Sequence, residues 1–495
     1  MRRRLIASFA CSLAIAGCGG GESGSALDNS LGYLPANSPF VATFATDPEG
    51  SQVKALLSIV DRFPFSGQVK DQLRQSLSEE NLDFEKDVRP ALGNEFVVGA
   101  LDAKTFSSEG DEQRVVGVIQ AKDKGALDML VEKEKAKEIG EKSGAKLYET
   151  SSEDAFAVDG DVFVIANSRA DLEAALDRHA GDDHLTEEDF NKAFEGLPED
   201  AAVRTFFDVQ QLLENDPDTA SARKVEWVSS LRDFGATASL QDDAVDIDFR
   251  MATEGETLEE ADLPIAAGEQ SPPVIDQDGE VGFGVRDPAQ IFRFGETAGQ
   301  ATDPAAFGDY ETGKRSIEQS LKIDIEKDVL SQLGGDVSGS ASIDGKFGVK
   351  TKPSDPAALE RTLAKVARGL PAIVGPDVRV TPPRGGQGLY TLSPSSGAPT
   401  LFGVVNGNFV VTNDSARAES LGAAPTAPVE GAAGAITLRT DAQALAARAI
   451  EAFGGTSGLG GAIGGSLFTG PLGELTGSMS AETDALTGKL RLTFD

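Results

Sequence analysis

Apolar and polar residues alternate in short runs along most of the chain, with turn residues between the runs. "FVATFATD" (Phe40 to Asp47), "NEFVVGALD" (Asn94 to Asp102) and "QRVVGVIQAKD" (Gln113 to Asp123) are rich in β-branched and aromatic residues and predict strands. "GSQVKALLSIVDRF" (Gly50 to Phe63) spaces its apolar residues three and four apart, which predicts a helix. A second helix is predicted over Gly125 to Gly140, where Leu127, Leu130, Val131 and Ile139 can share one side while the charges face water. In "AFAVDGDVFVIANS" (Ala155 to Ser168), Asp159 and Gly160 separate two apolar runs, which is hairpin turn chemistry. A helix starting at "ADLEAAL", a strand over Ala202 to Val209, a helical stretch and a hairpin over Ala236 to Met251 complete the series.

Much of this pattern then recurs. "LDFEKDVRPALGNE" (Leu82 to Glu95) returns as "IDIEKDVLSQLGGD" (Ile323 to Asp336), with seven of fourteen positions identical at an offset of 241. "DGDVFVIANS" (Asp159 to Ser168) returns as "NGNFVVTND" (Asn406 to Asp414), and "VDIDF" (Val245 to Phe249) corresponds to "LRLTF" (Leu490 to Phe494). Three segments in one order at nearly one offset indicate a duplicated unit of domain length. "EVGFGVRD" (Glu280 to Asp287) answers the first strand, and "AALERTLAKVARGL" (Ala357 to Leu370) answers the charged helix. Strands joined by hairpins with helices inserted singly predict an α+β fold: two tandem homologous domains, each a mainly antiparallel sheet with packed helices. The domains are expected over 31–253 and 276–495. The acidic, then proline-bearing stretch 254–275 between them offers little to bury and is expected to be a linker.

The first residues read as an address. Arg2, Arg3 and Arg4 precede about a dozen apolar or small residues, too few to span a bilayer, so 1–17 is expected to be a signal peptide. "IAGC" then has the order of a bacterial lipobox, which makes Cys18 the expected lipidated first residue of the mature chain. Residues 18–30 hold that cysteine and a glycine-rich tether, Gly19 to Ser25. Cys11 falls in the removed part, leaving no second thiol and no intramolecular disulfide. The expected location is the extracytoplasmic face of the cell membrane, with lipid as the membrane contact.

Charge narrows the partners. The chain has 80 acidic and 45 basic residues, a formal charge of −35, which repels phosphate backbones and disfavours nucleic acid. An acidic surface of this kind is expected to serve solubility or tolerance of salt, the alternative being a cation-rich or cationic partner at the wall or membrane.

"LPANSPFVATFATDP" (Leu34 to Pro48), "ALGNEFVVGALD", the "DGDVFVIANS" hairpin and the "LPEDAAVRTFFDV" strand, following a lipobox, resemble an actinobacterial family of exported lipoproteins described only as a domain of unknown function. The resemblance implies fold and location over nearly the whole mature chain, and it carries no catalytic residues to transfer.

Direct search finds no reaction. The only two histidines, His179 and His184, sit near Asp182 and Asp183, but their spacing fits no zinc pattern and they read as solvated loop residues. No G-x-S-x-G elbow accompanies them. "DQDGEVGFGVRD" (Asp276 to Asp287) lacks the ligands of a calcium loop and reads as a turn before a strand. The glycine-rich Gly454 to Gly470 has no P-loop lysine and reads as a mobile apolar loop, or, through Leu459, Ile463, Leu467 and Phe468, as a membrane-touching or partner-binding lip. Asp242 and Asp243, or Glu187 and Glu188, are adjacent acids of the kind glycosidases use, yet adjacency alone defines no cleft. Trp227 reads as a packing residue on an amphipathic helix.

The expectation is therefore a non-enzymatic, lipid-anchored cell-surface protein acting as a binding or structural module of the envelope. Its only assigned site is Cys18, and no metal or cofactor is implied. The expected partners are the membrane, through that lipid, and an envelope protein or wall component. The alternative is a carrier of a small apolar or amphipathic ligand, and after it a carboxylate-dependent hydrolase, which would need acids of raised pKa in a cleft.

Overall fold

A computed structural model describes residues 25–79, 82–106, 113–133, 136–150, 155–275, 280–342, 344–375, 377–383, 388–454 and 469–495. The described chain is α+β and divides into two units. The first runs to Ala220 and includes Leu231–Ala252 and Thr493–Asp495; the second comprises Ser221–Ser230 and Thr253–Leu492.

In the first unit the alternating runs become β1 (Phe40–Phe44), β2 (Phe96–Ala100), β3 (Val115–Gln120), β4 (Lys137–Lys142) and β5 (Ala145–Glu149). They continue as β6 (Ala155–Asp159), β7 (Val162–Ala166), β8 (Val203–Asp208), β9 (Leu231–Gln241) and β10 (Ala244–Thr253). Antiparallel pairing gives the order β4-β5-β6-β7-β3-β2-β1-β8-β9. β10 pairs with β9.

Strand alternation splits the apolar side chains between two faces. Val41, Val97, Val118 and Val164 point to one face, against Leu31, Leu34, Leu172, Leu176 and Phe190 from the covering helices. Phe96, Ile119, Phe163 and Ile165 point to the other, against Leu77, Val88 and Leu127. The register Val97↔Val118 beside Phe96↔Ile119 enforces that division. Helices therefore cover both faces.

The second unit contains β11 (Val274–Ile275), β12 (Val281–Val285), β13 (Val337–Ala341), β14 (Phe347–Thr351), β15 (Arg379–Thr381) and β16 (Leu389–Ser393). After these come β17 (Thr400–Val405), β18 (Asn408–Thr412), β19 (Thr426–Ala427), β20 (Ile436–Asp441), β21 (Leu472–Ala481) and β22 (Ala485–Phe494). Its antiparallel order is β15-β16-β17-β18-β14-β13-β12-β20-β21. β21 then turns into β22 with Glu482 N–H donating to Ala485 O. Strand for strand, this is the order of the first unit. β11 and β19 form a separate two-stranded ribbon.

The recurring fourteen residues occupy the same place in each unit, just before β2 and just before β13. Asp83 accepts from the Lys86 N–H at 3.0 Å, and Asp87 accepts from the Asp83 N–H at 2.7 Å. Asp324 and Asp328 repeat both contacts, at 2.9 Å to Lys327 and 3.1 Å to Asp324. Each turn thus satisfies donors that a helix start leaves unpaired.

Three expectations change. The helix predicted to Gly140 ends at Lys133, and Lys137–Lys142 is β4. Leu130 and Val131 pack on one face of the sheet and Ile139 against the cluster on the other, so one helix could not serve both. The helix around Trp227 is four residues, Glu226–Ser229, and β9 begins at Leu231. The stretch 254–275 is also not a solvated linker, because Leu258, Leu263 and Ile265 are buried. Gln290 ties it down by donating to the carbonyls of Glu260, Ala261 and Leu263.

Candidate functional site

A connected polar cluster lies where the described residues begin. Ser25 caps the helix Ala26–Leu31 by accepting from the Asp28 N–H at 2.9 Å. Leu31, Tyr33 and Leu34 are fully buried at the end of that helix. Leu34 lies over Gly99 of β2, where a Cβ would fall 2.4 Å from its Cδ1.

Tyr33 meets two other elements. Its ring stacks on His179, the last residue of the helix Arg169–His179, with centroids 4.0 Å apart and planes 2° from parallel. Its hydroxyl donates to Asp159 Oδ2 at 2.9 Å, at the end of β6. Its carbonyl accepts from Arg178 at 2.9 Å. His179 Nε2 lies 2.9 Å from Asn29 Oδ1, and Asn29 Nδ2 donates to Gln120 Oε1 at 3.1 Å. Gln120 in turn donates to Asp161 at 2.9 Å. With the Asn29 amide oriented this way, Nε2 carries the imidazole proton and Nδ1 faces Asp159 Oδ2 at 3.7 Å.

Burial, followed by the charge of Asp159, pushes the Tyr33 phenol far above its ordinary range. Burial holds the His179 imidazolium below its own, with Asp159 opposing that shift and His184 adding to it. At neutral pH the pair is therefore an un-ionised phenol on a neutral imidazole. Chemically this is a clamp, in which the polar groups hold the first helix to β3, β6 and the helix after β7.

The neighbouring charges are also paired. Arg114 donates to Asp171 through Nε at 2.8 Å and a terminal nitrogen at 2.6 Å, and to Asp102 at 3.0 Å. Arg204 donates to both oxygens of Glu95, at 3.0 and 2.7 Å, and to Asn191 at 3.0 Å. Its guanidinium also lies 5.3 Å from the ring centre of Phe190.

Two carboxyls behave differently. Asp208 and Asp233 are register partners on β8 and β9. Burial raises both, Asp233 further through the charge of Asp208, while Arg232 and Arg250 oppose the rise at Asp233. The acids singled out in the sequence are elsewhere. Asp242 and Asp243 lie exposed in the β9–β10 turn, and Glu187 and Glu188 fill the first turn of the helix Glu187–Lys192.

Other sequence candidates are also placed. His179 is not a solvated loop residue, since it ends a helix and is half-buried; His184 does lie in a loop, with Nδ1 3.1 Å from Gly181 O. Among the described residues no group of three or more histidine, cysteine or acidic side chains could hold a metal ion. Trp227 packs edge-on to Phe294 at 6.3 Å. Val281–Val285 is a strand, while residues 276–279 lie outside the described residues, as do Cys18 and 455–468 of the glycine-rich stretch. Among the described residues no helix is long and apolar enough to cross a membrane. Sequence reasoning missed Tyr33, Asn29 and Asp159 as a unit. The local signal was the Ser25-x-x-Asp28 helix start beside an apolar "LGYL" run.

These features define a two-unit α+β protein of antiparallel sheets in which the helix Ala26–Leu31 is clamped to the sheet of the first unit. Residues 6–368 match the family described as Protein of unknown function (DUF3352), and the chain belongs to that family. No curated protein matches the chain. Among solved structures it is similar to crystal form I of TP0453, at 8% identity and a TM-score of 0.25, covering 46% of this chain and 81% of that one. Crystal form III of TP0453 gives 7% identity, a TM-score of 0.26, and 46% and 82% coverage.

Proposed function

We propose that the protein is a non-enzymatic module of the cell envelope, held at the extracytoplasmic face of the membrane by lipid on Cys18. Its two units, which share one strand order, are proposed to be copies of one ancestral domain. The supporting observation is the clamp at Tyr33. The chain leaves its glycine-rich tether at Ser25 and within nine residues is buried and bonded to β3, β6 and the Arg169–His179 helix. A load on the tether is thereby passed to the sheet rather than to a fraying terminus. The module would engage an envelope protein or wall component while the lipid holds it in place.

Cys18→Ala tests the anchor. The wild type should incorporate labelled fatty acid and fractionate with membranes, and Cys18→Ala should do neither. Unchanged membrane retention of Cys18→Ala would remove the lipoprotein reading.

A second reading, a carrier of a small apolar ligand, is favoured by a row of phenylalanines in the first unit. Phe40, Phe106, Phe207, Phe234 and Phe249 follow one another at ring separations of 5.1 to 6.1 Å, and all five are partly exposed. Native mass spectrometry of gently purified residues 19–495 should then show a retained small-molecule mass that Phe207→Ala loses. A bare chain directs the search to protein and wall partners.

A further inference from the structure

Five aspartate–proline peptide bonds occur in the chain, after Asp47, Asp216, Asp287, Asp303 and Asp355. Four of these aspartates hold their carboxylate as a residue starting a turn or helix ordinarily does. Asp47 accepts from the Glu49 N–H at 3.0 Å, Asp216 from the Asp218 N–H at 2.9 Å, and Asp355 from the Ala358 N–H at 2.9 Å. Asp303 accepts from the N–H groups of Ala305 and Ala306, at 3.2 and 3.0 Å.

Asp287 differs in both backbone and side chain. It joins β12 to the helix Pro288–Thr302 with φ +37° and ψ +69°, in the left-handed region. Asp216, Asp303 and Asp355 instead have φ of −99°, −139° and −135°, on the extended side that a following proline favours. Of the four non-glycine residues with positive φ among the described residues, Asp287 alone precedes a proline. Its φ also falls short of the range of about +50 to +70° in which left-handed residues settle. The Asp287 carboxylate caps no helix N–H, and Oδ1 is buried with no hydrogen-bond partner among the described residues. The adjacent cation, Arg286, donates to the carbonyls of Ala267, Gly268 and Gly434. Backbone strain and an unsatisfied carboxylate oxygen therefore meet at one peptide bond.

That residue also has the parts of an intramolecular acyl transfer. Its carboxyl can close on its own main-chain carbonyl carbon through a five-membered ring, and carboxylates act as nucleophiles of this kind in covalent catalysis. The Asp287 carbonyl oxygen accepts from the Gln290 N–H at 3.0 Å, which puts a donor on the atom where negative charge would develop. Gln290 is itself fixed, through its side chain, to the carbonyls of Glu260, Ala261 and Leu263. The leaving group is proline, whose nitrogen becomes a basic secondary amine once the amide is broken.

We infer that the Asp287–Pro288 bond is a self-cleaving site. With Asp287 in its carboxylic-acid form, a side-chain oxygen bonds to the main-chain carbonyl carbon, the carbon–nitrogen bond breaks, and the carboxyl proton passes to the Pro288 nitrogen. The products are a cyclic anhydride on Asp287 and a free amino terminus at Pro288, and one water then opens the anhydride to two carboxyls. Cleavage releases the strained backbone, so the fold favours this bond over the other four. β12 remains paired with β13 and β20 afterwards, which keeps the two pieces together.

The test is incubation of residues 19–495, which keep every described residue, at about pH 5.5 and 37 °C. Denaturing gels and mass spectrometry should find one fragment ending at Asp287 and one beginning at Pro288, formed at least about tenfold faster than cleavage at any of the other four bonds. Under native conditions the cleaved protein should still elute as one species. In urea the preference should fall to within about threefold, because the unfolded chain holds no strain at this bond. Asp287→Asn keeps a residue that tolerates positive φ, and Pro288→Ala keeps the carboxyl; each should stay intact with a cooperative melting curve. Asp303→Ala should cleave as wild type. Hydroxylamine present during the incubation should appear as a hydroxamate on the new terminal Asp287, which reports the anhydride. An intact wild-type chain, equal cleavage of the five bonds in the folded protein, an undiminished preference in urea, cleavage of Asp287→Asn at the wild-type rate, or cleavage without hydroxamate overturns the proposal.

Discussion

Tyr33 and His179 stack ring on ring at 4.0 Å, one following the helix Ala26–Leu31 and the other ending the helix after β7. The stack joins the segment after the helix Ala26–Leu31 to the sheet, and its chemistry makes that joint sensitive to acid. His179 titrates below its ordinary value because burial disfavours the imidazolium. The unfolded chain therefore binds more protons in the interval between the two values. Stability from this ring is complete above about pH 6.5 and is lost as the pH falls toward the folded value. His179→Phe keeps a ring against Tyr33 and removes the titration. Urea unfolding at pH 7.5 and 5.5 should show a smaller loss for His179→Phe than for wild type; equal losses would show that the fold does not sense this proton.

The Asp208–Asp233 pair has the opposite sign. Burial raises both carboxyls, so the folded chain binds more protons than the unfolded one over that interval. The pair's cost appears as the pH rises through the raised values and is fully present at neutral pH. Asp233→Asn should raise the melting temperature at pH 7 by a few degrees, about what 1 kcal/mol gives a domain of this size. At pH 4 the gain should shrink.

Gly235 on β9 passes beneath the chain at Ala193, and a Cβ there would lie 2.1 Å from the Ala193 carbonyl oxygen. Backbone cannot swing aside as a flexible side chain can. Gly235→Ala should destabilise the first unit by about 2–3 kcal/mol in urea titration. Gly160→Ala meets no atom within 4 Å but must hold a φ of +63°, and its cost should come from the turn conformation alone, about 1 kcal/mol.

Asp83 and Asp324 cap equivalent turns in the two units. Asp83→Ala and Asp324→Ala should each cost about 1 kcal/mol. Amide exchange should quicken over 84–91 in the first variant and over 325–332 in the second, with little effect on the other unit's turn. Equal quickening in both turns would mean that the units do not open independently.

Local patterns carried far in this chain. The hairpins at Asp159–Gly160 and Asn406–Gly407 were legible because a residue that tolerates positive φ stands between two β-rich runs. The recurrence before β2 and β13 was legible because the Asp-x-Glu-Lys-Asp spacing is itself the capping geometry. Ile139 was misassigned because helical periodicity also accommodates a residue that belongs to the next strand, and only the sheet shows that it packs on the opposite face from Val131.

By itself the sequence determined what short-range physics controls: the runs that become strands, the turns between them, the three recurring segments and the bulk negative charge. Tertiary structure decided which strands became neighbours, and hence that the sheet has two covered faces. It also brought Tyr33, Asn29, Gln120, Asp159 and His179 together, and left Ile291, Phe292 and Ile317 exposed. Those outcomes depend on contacts between residues far apart in the chain. A side chain's local pattern records whether it is apolar, not which distant surface will reach it.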